Sequence, residues 1–166
     1  TLNSVIKQNY INKEYIIIDG NSTDGTFEEV AWFLKKSKKK NIFLFKKKDK
    51  SMYDAINFGI RKASGNIIGL LHSGDIFYNN LILTNIIKYF KNYNMVSGNV
   101  VYKNKMNLTT RIWNYKLKNL NSSSFFKVAH TSLFLKKDLI KIVGKYDLRY
   151  KISSDTDYLI RLSRNK

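Results

Sequence analysis

The chain has 166 residues, enough for one domain with its own hydrophobic core. It contains no cysteine, which excludes disulfides, thiolate zinc sites and a cysteine nucleophile. Its formal net charge of +18 predicts an anionic partner or surface, although a low-GC coding bias toward Lys, Asn, Ile and Tyr explains the charge about equally well.

The first third of the chain predicts alternating helices and strands. Residues 3–11 look like the end of an amphipathic helix, and EYIIIDG reads as a buried strand that closes on Asp19 and Gly20. After the turn cluster NSTDGT, a helix is expected over 26–36, followed by a second buried strand over 41–46.

The alternation continues toward the middle of the chain. MYDAINFGIRKASG predicts a helix with Met52, Ile56 and Ile60 on one face and Gly65 as its stop. GNIIGLLHSGD then repeats the pattern of an apolar strand ending in a small polar loop with a carboxylate, Asp75. A helix over 81–90 and a strand over 94–102 follow.

Beyond this point the pattern changes. Residues 103–126 are polar, aromatic and irregular, as in a loop that covers a substrate. VAHTSLFLKKDLIKIVGKYD predicts a strand, a short helix and a glycine stop, and SSDTDYLIRL places two acids at the start of a last helix. Repeated strand and helix alternation predicts an α/β fold with a parallel sheet and helices on both faces.

Two acids fall where such sheets bind their ligands. Asp19 and Asp75 both follow the carboxyl ends of predicted strands. A carboxylate there can accept the N3–H of a uracil ring or bind a divalent cation, and the adjoining small residues let the backbone approach a ligand. The alternative is that Asp19 and Asp24 only cap turns and the next helix. Two such motifs in one sheet favour a site.

Three motifs, in this order and spacing, resemble those of glycosyltransferase family 2, which has the GT-A fold. An acidic loop D-G/D-x-S-x-D-G-T is matched by Asp19, Gly20, Ser22, Asp24, Gly25 and Thr26. A helix of the form Y-D-A-x-N-x-G-I-x-x-A-x-G is matched by Tyr53, Asp54, Ala55, Asn57, Gly59, Ile60, Ala63 and Gly65. The D-x-D-type segment is represented by His72, Ser73, Gly74 and Asp75. Within the family, this segment resembles that of small bacterial surface-polysaccharide transferases with S-G-D at this place.

The resemblance implies one GT-A domain over residues 1–166, an α/β/α sandwich with a mostly parallel sheet. It implies inverting transfer of a sugar from a nucleotide-diphosphate donor, UDP-linked, to a growing bacterial surface glycan such as capsule, lipopolysaccharide or exopolysaccharide. It also implies a Mg²⁺ or Mn²⁺ cofactor and a polyprenyl-linked glycan acceptor. The expected location is cytoplasmic, with the Lys clusters at 35–40 and 46–50 touching anionic lipid at the inner face of the plasma membrane.

The resemblance also assigns site residues. It makes Asp75 the metal ligand and Asp155 the general base, with Asp157 as the competitor for that role. The expected nucleotide-sugar-binding residues are Asp19, Ser22, Asp24, Lys50, Asp54, Asn57, Ser73 and His130.

Several of these assignments have plainer alternatives. Lys50 could be a solvated loop lysine, and His130 a histidine satisfied inside the fold. Asp155 and Asp157 could simply be first-turn acids favoured by the helix dipole, and Arg161 is placed to pair with Asp157.

Two departures from the family pattern stand out. Gly74 occupies a place where many relatives have a second Asp, so metal binding rests on Asp75. The family's first strand, with its P-x-Y-N-like end, would precede residue 1, and its absence would leave a gap in the nucleotide pocket. The rival interpretation is therefore a noncatalytic basic binding module or an inactive transferase fragment. Nucleic-acid binding is not expected, because the basic residues are nearly all Lys and no base-reading motif is present.

Overall fold

A computed structural model describes residues 1–114, 125 and 127–165 of the chain. The helices are α1 (Leu2–Ile6), α2 (Thr26–Ser37), α3 (Met52–Lys62), α4 (Ile82–Tyr89), α5 (Lys137–Val143) and α6 (Ser154–Ser163). The strands are β1 (Tyr15–Asp19), β2 (Ile42–Lys46), β3 (Ile67–Gly69), β4 (Met95–Ser97), β5 (Val100–Lys103), β6 (Thr109–Trp113) and β7 (Leu133–Lys136). A short 3₁₀ turn at His130–Ser132 leads into β7. None of the helices in these ranges is long and apolar enough to span a bilayer.

The strands form parallel and antiparallel pairs. β1 and β2 are parallel, from Tyr15 opposite Ile42 to Asp19 opposite Lys46. β7 lies between β3 and β4 and runs antiparallel to both, so that β3 and β4 point in the same direction. The predicted α/β architecture is confirmed, and the late strand β7 adds an antiparallel member that local alternation did not indicate.

The region after β4 corrects the sequence prediction. The single strand expected over 94–102 is two strands, because β4 pairs with β7 whereas β5 turns away to pair with β6. The backbone N–H of Gly98, at the break, donates to the carbonyl of Ser132. β6 also lies inside the stretch expected to be irregular. The remainder of the predicted covering loop, 115–124 and 126, lies outside the described residues.

Helix α3 follows its prediction with changes at both ends. It begins at a Ser51 cap, whose side chain accepts the backbone N–H of Asp54. Ile56 and Ile60 pack on the core as expected, but Met52 is 48% exposed. The helix ends at Lys62, before the predicted stop at Gly65.

The hydrophobic core lies between α3, β7, α5 and α6. Its buried members include Leu133, Leu135, Leu139, Ile140, Leu159 and Leu162, together with the aromatic side chains Tyr53, Tyr146 and Tyr158. Because Tyr53 is in the first turn of α3 and Tyr158 is in α6, burial of these rings brings the starts of the two helices together. This packing positions the acids at the start of α6.

Candidate active site

The carboxylate of Asp155 is held by two side chains from different parts of the fold. The Tyr53 hydroxyl in α3 donates to Asp155 Oδ1 at 3.0 Å. His130 Nδ1, in the 3₁₀ turn before β7, lies 3.1 Å from Asp155 Oδ2. Each oxygen of the carboxylate therefore has a partner among the described residues, and the two contacts together set its orientation.

His130 is a partly buried histidine beside a second one. Its ring lies 5.3 Å from that of His72, centroid to centroid. Burial lowers the pKa of His130 below its ordinary value, although attraction to Asp155 and Asp75 opposes this effect. His130 Nε2 and His72 Nε2 are both buried without a hydrogen-bond partner in the part of the chain that the structure describes.

Three stacked tyrosines, Tyr53, Tyr146 and Tyr158, pack next to Asp155 through Tyr53. The Tyr53 and Tyr146 rings are 5.8 Å apart and the Tyr146 and Tyr158 rings 4.2 Å apart, all nearly parallel. Burial raises the pKa of Tyr158 to about 12 and raises that of Tyr146 further. Burial, together with the hydrogen bond to Asp155, also raises the pKa of Tyr53. Tyr53 therefore remains a neutral hydrogen-bond donor at physiological pH.

Asp157 makes different contacts from Asp155. Its Oδ2 accepts from Arg161 Nε at 2.9 Å and lies 2.8 Å from Arg161 Nη2. The same guanidinium donates to the carbonyls of Val143 at 2.6 Å and Lys145 at 2.8 Å. The pairing of Asp157 with Arg161 expected from the sequence is present, and it ties α6 to the end of α5.

Asp19 lies at the end of β1, where the sequence predicted it, and is only 8% exposed. Its Oδ1 accepts the backbone N–H of Ser22 at 2.9 Å. Burial opposes ionisation, but hydrogen bonds from Ser22 and the charge of Lys46 outweigh it and lower the pKa of Asp19. Asp19 is thus an ionised, preoriented acceptor at the strand end.

Asp24 caps the turn before α2, as the alternative to a binding role predicted. Its Oδ1 accepts the backbone N–H of Thr26, the first residue of α2, at 3.1 Å. This hydrogen bond lowers the pKa of Asp24, and the side chain is exposed. Its predicted nucleotide-sugar contact stays a prediction.

Lys47, which sequence reasoning did not select, contacts the site where Lys50 was expected to act. Lys47 Nζ lies 2.5 Å from Asp54 Oδ2, and this contact lowers the pKa of Asp54. The backbone N–H of Lys47 also donates to the Asp19 carbonyl at 2.9 Å. Lys50 is exposed and contributes its backbone N–H to Asp54 at 3.3 Å. The run KKKDK carried no local signal to separate these lysines.

Asn57 uses its amide inside the fold. The side chain, 3% exposed, donates to the Tyr146 carbonyl and accepts the Tyr146 N–H, each at 2.9 Å. Both amide groups are thereby engaged in joining α3 to the segment after α5. The predicted contact of Asn57 with the nucleotide-sugar stays a prediction, whereas its hydrogen bonds to the Tyr146 backbone are present in the structure.

The loop after β3 presents Asp75. Its backbone N–H donates to the His72 carbonyl at 3.1 Å, and the side chains of Ser73 and Asp75 are exposed. Gly74 has a φ of +92°, a conformation that L side chains rarely adopt. An Asp at this position would therefore be strained if the backbone kept this conformation.

Some of the candidate residues are linked through α3 and the start of α6. The Asp19 carbonyl accepts the backbone N–H of Lys47, and the Lys47 ammonium pairs with Asp54. Asp54 follows Tyr53 directly in α3. Tyr53 and His130 both contact Asp155, and the charge of Asp75 acts on His130.

Asp75 offers a single carboxylate to a metal ion. Within the described ranges, no group of three or more His, Cys, Asp or Glu side chains is arranged to hold a metal ion.

The family profile described as glycosyl transferase family 2 matches residues 1–143. The chain belongs to this family. The resemblance drawn from the three sequence motifs is confirmed.

Curated relatives carry glycosyltransferase names. A "PGL/p-HBAD biosynthesis glycosyltransferase" of Mycobacterium bovis is 27% identical over 168 residues, covering 99% of this chain and 63% of that protein. An "uncharacterized glycosyltransferase" of Rickettsia bellii is 33% identical over 104 residues, covering 62% of this chain and 14% of that protein. This chain thus spans less than two thirds of the length of these relatives.

Solved structures of the same fold include two nucleotide complexes. Staphylococcus aureus TarS 1–349 in complex with UDP superposes with a TM-score of 0.74 at 15% identity, covering 99% of this chain and 50% of that chain. The mannosyltransferase PcManGT from Pyrobaculum calidifontis, in complex with GDP-Man and Mn²⁺, gives a TM-score of 0.68 at 18% identity, covering 96% and 46%. These likenesses establish the GT-A-type fold.

Proposed function

We propose that this family 2 chain carries the donor-binding and catalytic part of an inverting glycosyltransferase. It transfers a sugar from a UDP-linked donor to a growing bacterial surface glycan, with a polyprenyl-linked glycan as the acceptor. The observation that carries the proposal is the carboxylate of Asp155, oriented by Tyr53 and His130 at the start of α6.

The chemistry requires a base and a leaving-group stabiliser on separate elements. Asp155 is the base, since a carboxylate held in one orientation can take the proton of an acceptor hydroxyl. Asp75 comes from the loop after β3 and would meet the diphosphate. His130 contacts Asp155 at 3.1 Å, and the charges of Asp155 and Asp75 both oppose the lowering of the His130 pKa by burial. Asp19 supports the donor assignment as an ionised acceptor at a strand end, suited to the N3–H of a uracil ring.

A divalent cation fits Asp75 as a partial ligand. Mg²⁺ in such enzymes is commonly held by one or two carboxylates together with substrate phosphates and water, without an all-protein cage. A single exposed carboxylate fits that arrangement, and oxygen ligands suit Mg²⁺ or Mn²⁺. When bound, the cation would neutralise charge that develops on the leaving diphosphate. The mannosyltransferase PcManGT, which has a similar fold, was solved in complex with GDP-Man and Mn²⁺.

The proposed cytoplasmic location at the inner membrane face rests on the basic surface. Lys35, Lys36, Lys38, Lys39 and Lys40 are all exposed at the end of α2. Trp32, one turn earlier, is 62% exposed with the Lys36 ammonium 5.0 Å from its ring centroid. Each well-placed Lys contributes about 1 kcal/mol of attraction to anionic lipid. In the second cluster, Lys46 and Lys47 already pair with Glu28 and Asp54.

Donor binding and product formation test the proposal. Calorimetric titration with UDP, with and without Mn²⁺, should show metal-dependent binding. Product mass after incubation with a panel of nucleotide sugars and a polyprenyl-phosphate-linked acceptor should identify the transferred sugar. Both measurements are made on this chain and on a version that carries the family's first strand at its N-terminus. Absence of UDP binding and of transfer in both proteins would instead favour the noncatalytic binding module.

A further inference from the structure

We propose that His130 is a positioning residue which, with Tyr53, fixes the carboxylate of Asp155 for proton transfer. The inference rests on the proposed function, in which Asp155 is the base, and it extends that function to the side chains that orient the base. The resemblance implies a nucleotide-sugar contact for His130, whereas the role proposed here follows from the position of its Nδ1 beside Asp155.

The two partners of Asp155 come from different elements of the fold. Tyr53 is in α3 and contacts Oδ1, whereas His130 precedes β7 and contacts Oδ2, at 3.0 and 3.1 Å. Rotation of the carboxylate about its Cβ–Cγ bond would break both contacts. Each oxygen retains a further lone pair, so the carboxylate can still accept a proton.

The geometry also assigns a tautomer to His130. Nδ1 faces a carboxylate oxygen, so the proton of the neutral ring lies on Nδ1 and is donated to Asp155. The opposite tautomer would place the Nδ1 lone pair against the carboxylate. It would also bury an N–H at Nε2, which has no acceptor among the described residues. His130 is therefore a neutral donor that orients the carboxylate. The other titratable groups that influence it are His72 and Asp75.

Two amide replacements of His130 test the role through geometry. Asn places its side-chain N–H₂ near the position of Nδ1, and Gln places its own near Nε2. His130→Asn should keep kcat within about 3-fold of wild type, whereas His130→Gln should lower kcat by about 100-fold, the usual effect of a misplaced catalytic group. The donor KM should change little in either variant. Equal kcat values in the two variants, whether high or low, would overturn the inference.

Measurements of stability and of the His130 tautomer distinguish a loss of folding from a loss of carboxylate positioning. Urea unfolding of both variants identifies any kcat loss that comes from misfolding. The chain has only two histidines, so ¹⁵N-imidazole NMR of the ligand-free protein resolves His130 without any substrate. We expect a protonated Nδ1 whose signal shifts in Asp155→Asn. A protonated Nε2 overturns the inference whatever the activity. An Nδ1–H without transfer by wild type instead overturns the proposed function and reduces His130 to a structural partner.

Discussion

The Tyr53 hydroxyl donates to the Asp155 carboxylate at 3.0 Å, across 102 positions of sequence. This hydrogen bond joins the first turn of α3 to the first turn of α6. Asp157, two residues later, instead faces Arg161. The two acids of SSDTDYLIRL therefore have separate surroundings, and separate consequences are expected when each is replaced.

Replacing Asp155 with Asn should lower turnover by roughly two to four orders of magnitude, because positioned proton transfer contributes about that much. Donor binding should be unchanged, since the base acts on the acceptor. Steady-state kinetics and calorimetry with UDP measure the two quantities. Asp138→Asn is a matched control, as Asp138 is also a first-turn acid but is exposed and pairs with Lys141 on α5. Wild-type turnover in Asp155→Asn would remove the base assignment.

Replacing Asp157 with Asn should cost about 1 kcal/mol of unfolding free energy and little activity. The change weakens a partly buried ion pair with Arg161, which also hydrogen-bonds to the carbonyls of Val143 and Lys145. Urea denaturation gives the free energy, and kcat should stay within about 3-fold of wild type. Should this variant lose turnover while Asp155→Asn keeps it, the two roles would be exchanged.

Asp75→Asn should abolish most of the Mn²⁺-dependent part of donor binding. The amide oxygen is a weaker ligand than a carboxylate, and Asp75 is the proposed protein contact of the cation. Calorimetric titrations of UDP-sugar with Mn²⁺ and with EDTA isolate the metal-dependent term. Asp138→Asn serves again as the control. The assignment fails if the difference between the two titrations is the same as in wild type.

Asp19→Ala should weaken free UDP and UDP-sugar by similar factors. Asp19 is an ionised acceptor at the end of β1, and the proposed contact is to the nucleobase that both ligands share. Dissociation constants for the two ligands provide the comparison. A loss confined to the sugar-bearing ligand would move Asp19 to another part of the site.

His130 should titrate below its ordinary pKa of 6.5, because burial disfavours the charged ring more than Asp155 and Asp75 favour it. The unfolded chain then binds more protons than the folded one, so the free energy of unfolding should fall as the pH drops from 6.5 toward the folded-state pKa. ¹⁵N-imidazole chemical shifts followed from pH 8 to 5 check the midpoint. A midpoint above 6.5 would mean that attraction to the two carboxylates outweighs burial.

Much of the framework could be predicted from the sequence, because its signals are local. The apolar run before Asp19 and the 3.6-residue periodicity of α2 and α3 depend on neighbouring residues, and the structure has these elements near the expected bounds. The same local spacing indicated the pair of Asp157 with Arg161, four positions apart on one helix face. Motif order and spacing also identified the family.

The remaining assignments depended on residues far apart in sequence. The strand predicted over 94–102 divides because β7, more than 30 positions later, pairs with its first part only. Asn57 has its partner at Tyr146, 89 positions away, so its structural use was invisible in the helix motif. The sequence prediction selected Lys50 and not Lys47, and only the fold of their loop directs the Lys47 ammonium to Asp54.

The sequence by itself determined the family and most of the helices and strands, and it supplied the acids proposed for the site, because these depend on short-range pattern and motif spacing. Only the tertiary structure decided which of two neighbouring acids is held by Tyr53 and His130, because hydrophobic burial brings α3, β7 and α6 together around the stacked tyrosines. Burial is non-directional and unites distant segments, whereas a hydrogen bond requires the geometry that results from that packing.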